Sequence, residues 1–226
     1  MLGGQHLNVT AGSRFSSYWV AAASATGQQL WSDVQIFDDD YDLWASDFRG
    51  LSTGDAVLLT DGIDGGTTFR IYDMLGQPLN TEEFVALLGY SQLCVGSAGF
   101  YLVNREDNLL AGFDNDGQPT IDIVGPSLAA GENGYSMECA ARDDGSPILA
   151  RGFDLDAGGE FVRVTGFDQD EEAWSVDLPP PDGAESYRSD VFVHVDEARH
   201  RVLVFMGGRF DSVAHLRFVS VTALAI

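Results

Sequence analysis

The chain has 226 residues, 35 of them Asp or Glu and 12 basic, for a formal net charge of −23, and every basic residue is Arg. Such a charge repels phosphate backbones and anionic bilayers, so nucleic-acid binding and attachment to acidic membrane surfaces are excluded as expected roles. A hydrophobic share of 45% suffices for a packed core, and no run of about 20 apolar residues is present to insert into a membrane.

The first twelve residues, Met1 to Gly12, have neither a basic n-region nor an apolar h-region, so no signal peptide is visible. An acidic surface without Lys is consistent with a GC-rich genome, a saline habitat or a calcium-containing exterior. The expected compartment is extracellular or periplasmic. Asn8-Val9-Thr10 matches a glycosylation sequon, a short pattern that also arises by chance.

Ser17–Ala25 and Gln28–Val34 read as two strands, the end of a partial unit over 14–34. An acidic run follows, Asp38-Asp39-Asp40-Tyr41-Asp42. From there the chain repeats. Gly89-Tyr90-Ser91-Gln92-Leu93-Cys94 returns as Gly134-Tyr135-Ser136-Met137-Glu138-Cys139, 45 residues later and identical at four of six positions. Ser186-Tyr187-Arg188-Ser189-Asp190-Val191 is a weaker copy, and so is Trp44-Ala45-Ser46-Asp47-Phe48, in which Trp44 takes the Tyr position.

Each copy opens the same series: an apolar strand, a Gly/Asp turn, a strand ending near Asp, and a fourth strand. The second strands are Ala56–Leu59, Phe100–Val103, Pro147–Ala150 and Arg201–Phe205. The third are Phe69–Asp73, Leu110–Asp114 and Phe161–Asp168. Alternation and β-branched or aromatic content predict strands, and the Gly, Asp and Asn clusters between them predict turns. Only Asn80–Leu88 hints at helix, through a capping-type Asn80-Thr81-Glu82-Glu83 start.

A period near 45 residues with four strands per repeat predicts an all-β fold, a β-propeller of four-stranded antiparallel blades. We expect one propeller domain over 1–226, with blades near 42–82, 89–125, 134–178 and 187–226 and the partial blade 14–34, hence about four to five blades or a fragment of a larger ring. The offset ends suit a ring closed by one shared blade, or a cut through a larger ring.

The segment Ala21-Ala22-Ala23-Ser24-Ala25-Thr26-Gly27-Gln28-Gln29-Leu30-Trp31 resembles the tryptophan-docking repeat of PQQ-like propellers, Ala-x-Asp-x-x-Thr-Gly-Lys-x-x-Trp. Ala21, Thr26, Gly27 and Trp31 match, whereas Ala23 replaces the Asp and Gln28 the Lys. Phe167-Asp168 through Trp174 is similar to a second, degenerate copy, and Asp73 to Gln77 and Asp114 to Gln118 keep the Asp and Gly without the Trp. The pattern is also similar to bacterial propeller repeats whose blades end in Asp-x-x-Gly-x-x-x-Trp. The resemblance implies the fold. The quinone enzymes of that family use a larger ring and adjacent cysteines, which this chain lacks, so no quinone cofactor is carried over.

Candidate chemistry is sparse. Calcium takes several oxygens at once, and alternate carboxylates in a turn can converge on it. Asp114 and Asp116, and Asp154 and Asp156, are the candidate calcium ligands, and Asp114-Asn115-Asp116-Gly117 resembles the calcium loop of FG-GAP-type propellers. No loop completes the twelve-residue calcium pattern, and the competing reading is solvated acidic turns. His194, His200 and His215 lie near Asp196 without a metal-binding spacing. Cys94 and Cys139 hold equivalent positions on first strands, where core packing without a disulfide is expected. Trp19, Trp31, Trp44 and Trp174 offer sugar stacking or, as their repeat positions argue, packing between blades.

Met206-Gly207-Gly208-Arg209 echoes the double Gly of kelch blades, a single weak instance. Phosphate-loop and dinucleotide motifs are absent from the sequence. Two functions stand. One is a non-catalytic binding or scaffolding propeller presenting loops to a protein or glycan. The other is an exported, glycosidase-like hydrolase with carboxylates near the propeller axis, for which Asp47, Glu138 and Asp190 are the first-strand carboxylates.

Overall fold

The structure, a computed structural model, describes residues 2–10, 13–23, 26, 28–37, 43–62, 67–84, 91–104, 108–125, 128–156, 158–180, 191–209 and 217–226. It is all-β, a β-propeller architecture of antiparallel meander blades. The first sheet is β1 (Leu2–Thr10), β2 (Ser13–Ala23) and β3 (Gln29–Phe37). The second is β4 (Leu43–Gly50), β5 (Ala56–Gly62), β6 (Thr67–Tyr72) and β7 (Pro78–Phe84). The third is β8 (Ser91–Val95), β9 (Gly99–Asn104), β10 (Leu109–Asp114) and β11 (Pro119–Val124). The fourth is β12 (Glu132–Ala141), β13 (Pro147–Leu155), β14 (Glu160–Asp168) and β15 (Glu171–Leu178). The fifth is β16 (Val191–Asp196), β17 (Arg201–Arg209) and β18 (Arg217–Ala225), with one 3₁₀ turn, Glu197–Arg199, between its first two strands.

Among the described residues, the second, third and fourth sheets have four strands each. Two elements differ from expectation. β1 is a full strand in a segment that the sequence left unassigned; it pairs with β2 from Leu2↔Ala21 to Thr10↔Ser13. Asn80–Phe84, expected as the start of a helix, belongs to strand β7, with Arg70↔Thr81 and Phe69↔Glu82 in register. The neighbouring edge of β6 offers a ladder of backbone partners, and that outweighs one local capping signal.

The chain forms two compact units, Met1–Asp107 with Ala111–Thr120, and Asn108–Leu110 with Ile121–Ile226. In the first unit successive sheets meet through their first strands: β4 lies against β1 and β2, and β8 against β4 and β5. In the second, β16 lies against β12 and β13. First strands near one another are what a propeller's inner strands must be.

Apolar faces fill the spaces between sheets. Between the second and third sheets, Phe69 meets Phe100 edge-on at 5.3 Å and Phe113 at 4.9 Å, while Phe100 and Phe113 stack at 5.3 Å. All three rings are buried, and such pairs add to the burial of their area. Between the fourth and fifth, Ile148, Ala150, Val162 and Val164 pack with Val191, Val202, Val204 and Met206.

Hairpins reuse one turn. In Asp73–Gln77 the Gly76 N–H donates to the Asp73 carbonyl and the Asp73 N–H to Gln77, with Gly76 at φ +79°. Asp114–Gln118 repeats this with Gly117 at φ +80°. It is a type I turn followed by a left-handed residue, the three-residue hairpin loop in which glycine relieves the clash of a Cβ. Leu51–Asp55, Arg142–Ser146 and Leu155–Gly159 share the bonding.

Candidate functional site

The first-strand carboxylates are the natural place to seek chemistry. Asp47 sits on β4 just past a bulge between Ala45 and Asp47. Its Oδ1 accepts the Phe48 N–H at 2.8 Å. Its Oδ2 accepts the Leu93 N–H of β8 at 3.1 Å and the Arg49 Nε–H at 3.2 Å. Both oxygens are therefore engaged, one of them in a strut between neighbouring blades. Glu138 holds the equivalent repeat position on β12, opposite Ala150, and is half-buried. Asp190, the third of the set, lies outside the described residues.

The calcium candidates divide by geometry. Asp114 Oδ1 accepts the N–H groups of Asp116 and Gln118, at 3.0 and 2.8 Å. Asp73 Oδ1 does the same for Leu75 and Gln77, both at 2.8 Å. The recurring Asp of this repeat thus stabilises its own hairpin turn. Asp116 is exposed at the turn tip. Asp156 Oδ1 accepts the Asn133 amide N–H at 2.9 Å, and Asp154 is exposed opposite Glu160. Among the described residues no three His, Cys, Asp or Glu side chains are grouped to hold a metal ion. His194 is exposed on β16, and His200 sits at φ 49° as the left-handed residue closing the 3₁₀ turn. Asp196 is held by Arg199 and Arg201, at 3.1 and 2.9 Å. His215 and Asp38–Asp42 lie outside the described residues.

The two Trp residues with described side chains pack between blades. Trp31 stacks on Tyr72 at 5.6 Å and 22°, and the Tyr72 hydroxyl donates to Asp33 Oδ2 at 3.0 Å. A Cβ on Gly76 would lie 2.5 Å from the indole, so the turn glycine is also the floor on which Trp31 rests. Trp174 lies on Gly166, its register partner in the adjacent strand, and packs against the core between the fourth and fifth sheets. The side chains of Trp19 and Trp44 are outside the described set.

Sequence reasoning missed a charged cluster in the second unit. Arg163 on β14 grips two carboxylates at once. Its Nε–H and one Nη–H donate to Asp177 at 2.7 and 3.0 Å, and its Nη groups donate to both oxygens of Glu132 at 3.2 Å. The guanidinium also lies over Phe153 and Phe161, at 5.2 and 5.1 Å, rings that stack on each other at 4.9 Å. The Ala129 N–H, then Arg163, hold the Glu132 carboxyl below its usual range against the opposing effect of burial. Arg151 lies over Phe153, donates to Asn108 Oδ1 and fills the space left by Gly134. The available signal was an Arg alternating with Val and Phe within one strand, Phe161-Val162-Arg163-Val164.

No cysteine is free. Cys94 and Cys139 are both disulfide-bonded, a correction to the expectation of two buried thiols. The expectation rested on burial, which cysteines show with or without a disulfide.

No family model matches this chain, and no curated protein matches it. Among solved structures it is similar to a protein of unknown function from Bacteroides caccae, at a TM-score of 0.52 and 16% identity, over 93% of this chain and 74% of that one. At that identity the likeness concerns the fold alone. Among the described residues, no helix is long and apolar enough to cross a membrane.

Proposed function

We propose that this protein is a non-catalytic binding propeller that presents its loops to a protein or glycan partner, in an extracellular or periplasmic setting. The observation that carries this reading is the engagement of Asp47. A general acid or nucleophile needs an oxygen directed at substrate, and both oxygens of Asp47 are occupied by backbone and Arg donors. The Asp residues of the hairpins are likewise spent on their own turns. Exposed apolar side chains at the β6–β7 turn, Met74 at 64% and Leu75 at 76%, are the kind of group a partner can cover. Disulfide-bonded cysteines favour an oxidising compartment.

A thermal-shift screen against glycan and peptide libraries, paired with chromogenic glycosides, tests the reading. One ligand class should raise the melting temperature, since a ligand at about 100 times its Kd adds about 2.7 kcal/mol. Glycoside turnover should be absent. Turnover abolished by Glu138→Gln would replace the binding reading with the hydrolase.

A further inference from the structure

We infer that the corner between the first two sheets docks a basic segment of a partner protein. The segment lays an apolar side chain on Leu30, Met74, Leu75 and Leu79, and its Lys or Arg side chains meet the carboxylates nearby. This rests on the reading of the chain as a binding propeller and names the partner which that reading leaves open.

Two matching bulges build the patch. Where β2 meets β3, Ala22 pairs with Trp31 and Ala23 with Gln29, so Leu30 has no register partner. Where β6 meets β7, Ile71 pairs with Asn80 and Tyr72 with Pro78, so Leu79 has none either. A bulge re-aims its extra residue, and both leucines are turned to solvent, Leu30 61% and Leu79 59% exposed. Leu30 adjoins Trp31, which rests on Gly76 of the β6–β7 turn, and that turn carries the exposed Met74 and Leu75. Met74 lies over Gly54 of the β4–β5 turn, where a Cβ would meet its sulfur at 3.0 Å. Among the described residues of the first unit, these are all the large apolar side chains that are exposed. Apolar surface gathered in one place, rather than scattered, marks a contact for another molecule.

Charge and side-chain type select the occupant. β3, the turn 51–55 and residues 73–84 carry Asp33, Asp55, Asp73, Glu82 and Glu83 and contain no basic residue. Arg49, which precedes the 51–55 turn, is already held by Asp47 at 3.1 Å. Such a surround attracts cations and repels nucleic acid, acidic proteins and a second copy of this chain, whose net charge is −23. A sugar stacks on open aromatic faces. The rings here are committed to packing, Trp31 on Tyr72 and on Gly76, and what is exposed is aliphatic. Leu and Met suit an apolar side chain of a polypeptide, and a flexible Met adapts to its shape. Basic residues flanking that anchor meet the carboxylates, where complementary charge speeds encounter and fixes register.

Panning a phage-displayed library of random peptides on the whole chain, at about 0.1 M sodium chloride, tests this. The expected result is enrichment of peptides with net positive charge and a large apolar residue. A synthetic copy of the most enriched peptide, followed by fluorescence anisotropy, should lose at least about tenfold in affinity at about 1 M salt. It should lose at least about as much against Leu75→Ser with Leu79→Ser, both exposed positions, with the circular dichroism spectrum unchanged. Absence of enrichment, enrichment of neutral or acidic peptides, affinity indifferent to salt, or binding unchanged in the folded double variant overturns the proposal. Hydrogen exchange gives a test on the unmodified chain. Amides of 29–32 and 73–79 should gain protection with the peptide bound, and unchanged exchange there overturns the proposal as well. A glycan that alone raises the melting temperature sinks this inference and leaves the binding reading intact, whereas glycoside turnover removes the binding reading itself.

Discussion

The Asp47 carboxylate accepts a hydrogen bond from the Leu93 backbone N–H across 46 residues of sequence, at 3.1 Å, joining the first strands of two successive blades. Removing it leaves a partly buried N–H without its acceptor, and that loss exceeds the net worth of an ordinary hydrogen bond. Asp47→Ala should destabilise by about 1–3 kcal/mol, seen as a lower urea midpoint with an unchanged slope. Asp47→Asn, which keeps one acceptor oxygen, should fall between. An Asp47→Ala midpoint equal to that of the parent would show that the strut carries no stability.

Trp31 and Gly76 should fail together. Trp31→Ala removes the ring stacked on Tyr72 and should cost about 2–3 kcal/mol, below the full range for a buried aromatic because Trp31 is only half-buried. Gly76→Ala places a methyl 2.5 Å from the indole at φ +79°, a strain of about 1–3 kcal/mol. In the double variant the steric part of the Gly76 cost should vanish, so the two losses should sum to more than the measured total. Strict additivity in chemical denaturation would separate the turn from the indole.

Acid should act in part through Glu132. Its carboxyl is held below the usual value by the Ala129 N–H and Arg163. A depressed folded-state value contributes stability above the unfolded value, 4.5, that is lost as pH falls through the folded one. Melting temperatures from pH 7 downward should therefore decline below about pH 4.5, and Glu132→Gln should flatten that decline while lowering the neutral-pH plateau. An unaltered acid limb in the variant would remove Glu132 from the account.

The cysteines give a chemical test. Thiol labelling of the unreduced, denatured chain should modify neither Cys94 nor Cys139. Reduction, or Cys94→Ala with Cys139→Ala, should cost about 2–4 kcal/mol. Quantitative labelling without reductant would contradict the disulfide.

Calcium at fixed ionic strength should raise the melting temperature no more than magnesium does. Asp114 already serves two backbone donors, and Asp156 is engaged by Asn133. A calcium-specific rise lost in Asp154→Asn or Asp116→Asn would restore those residues as ligands.

The hairpins between third and fourth strands were legible because one turn chemistry, Asp-x-x-Gly-Gln, recurs where one backbone shape recurs, and Asp73 and Asp114 make the same bonds. The interblade role of Trp31 was legible for the same reason. β7 was not, because Asn80 to Glu83 carries a local helix-start pattern while its strand state comes from β6 beside it. The Arg163 cluster was hidden because its partners Glu132 and Asp177 come from different strands, 31 and 14 residues away. Asp47 was recognised as an unusual first-strand carboxylate, but its partner is a backbone N–H, a group that every residue except Pro offers and that no sequence pattern marks.

The order of strands within each sheet has a bearing on biosynthesis. Among the described residues, each strand of the five sheets is hydrogen-bonded only to strands next to it in the chain. After the first strand of a sheet, each newly made strand therefore needs no segment still inside the ribosome, because its template has already emerged. Each blade can close by successive hairpin zipping while the next is being translated. The sheets should then form in chain order from the amino terminus, with a protease-resistant fragment growing in steps of one blade as synthesis proceeds.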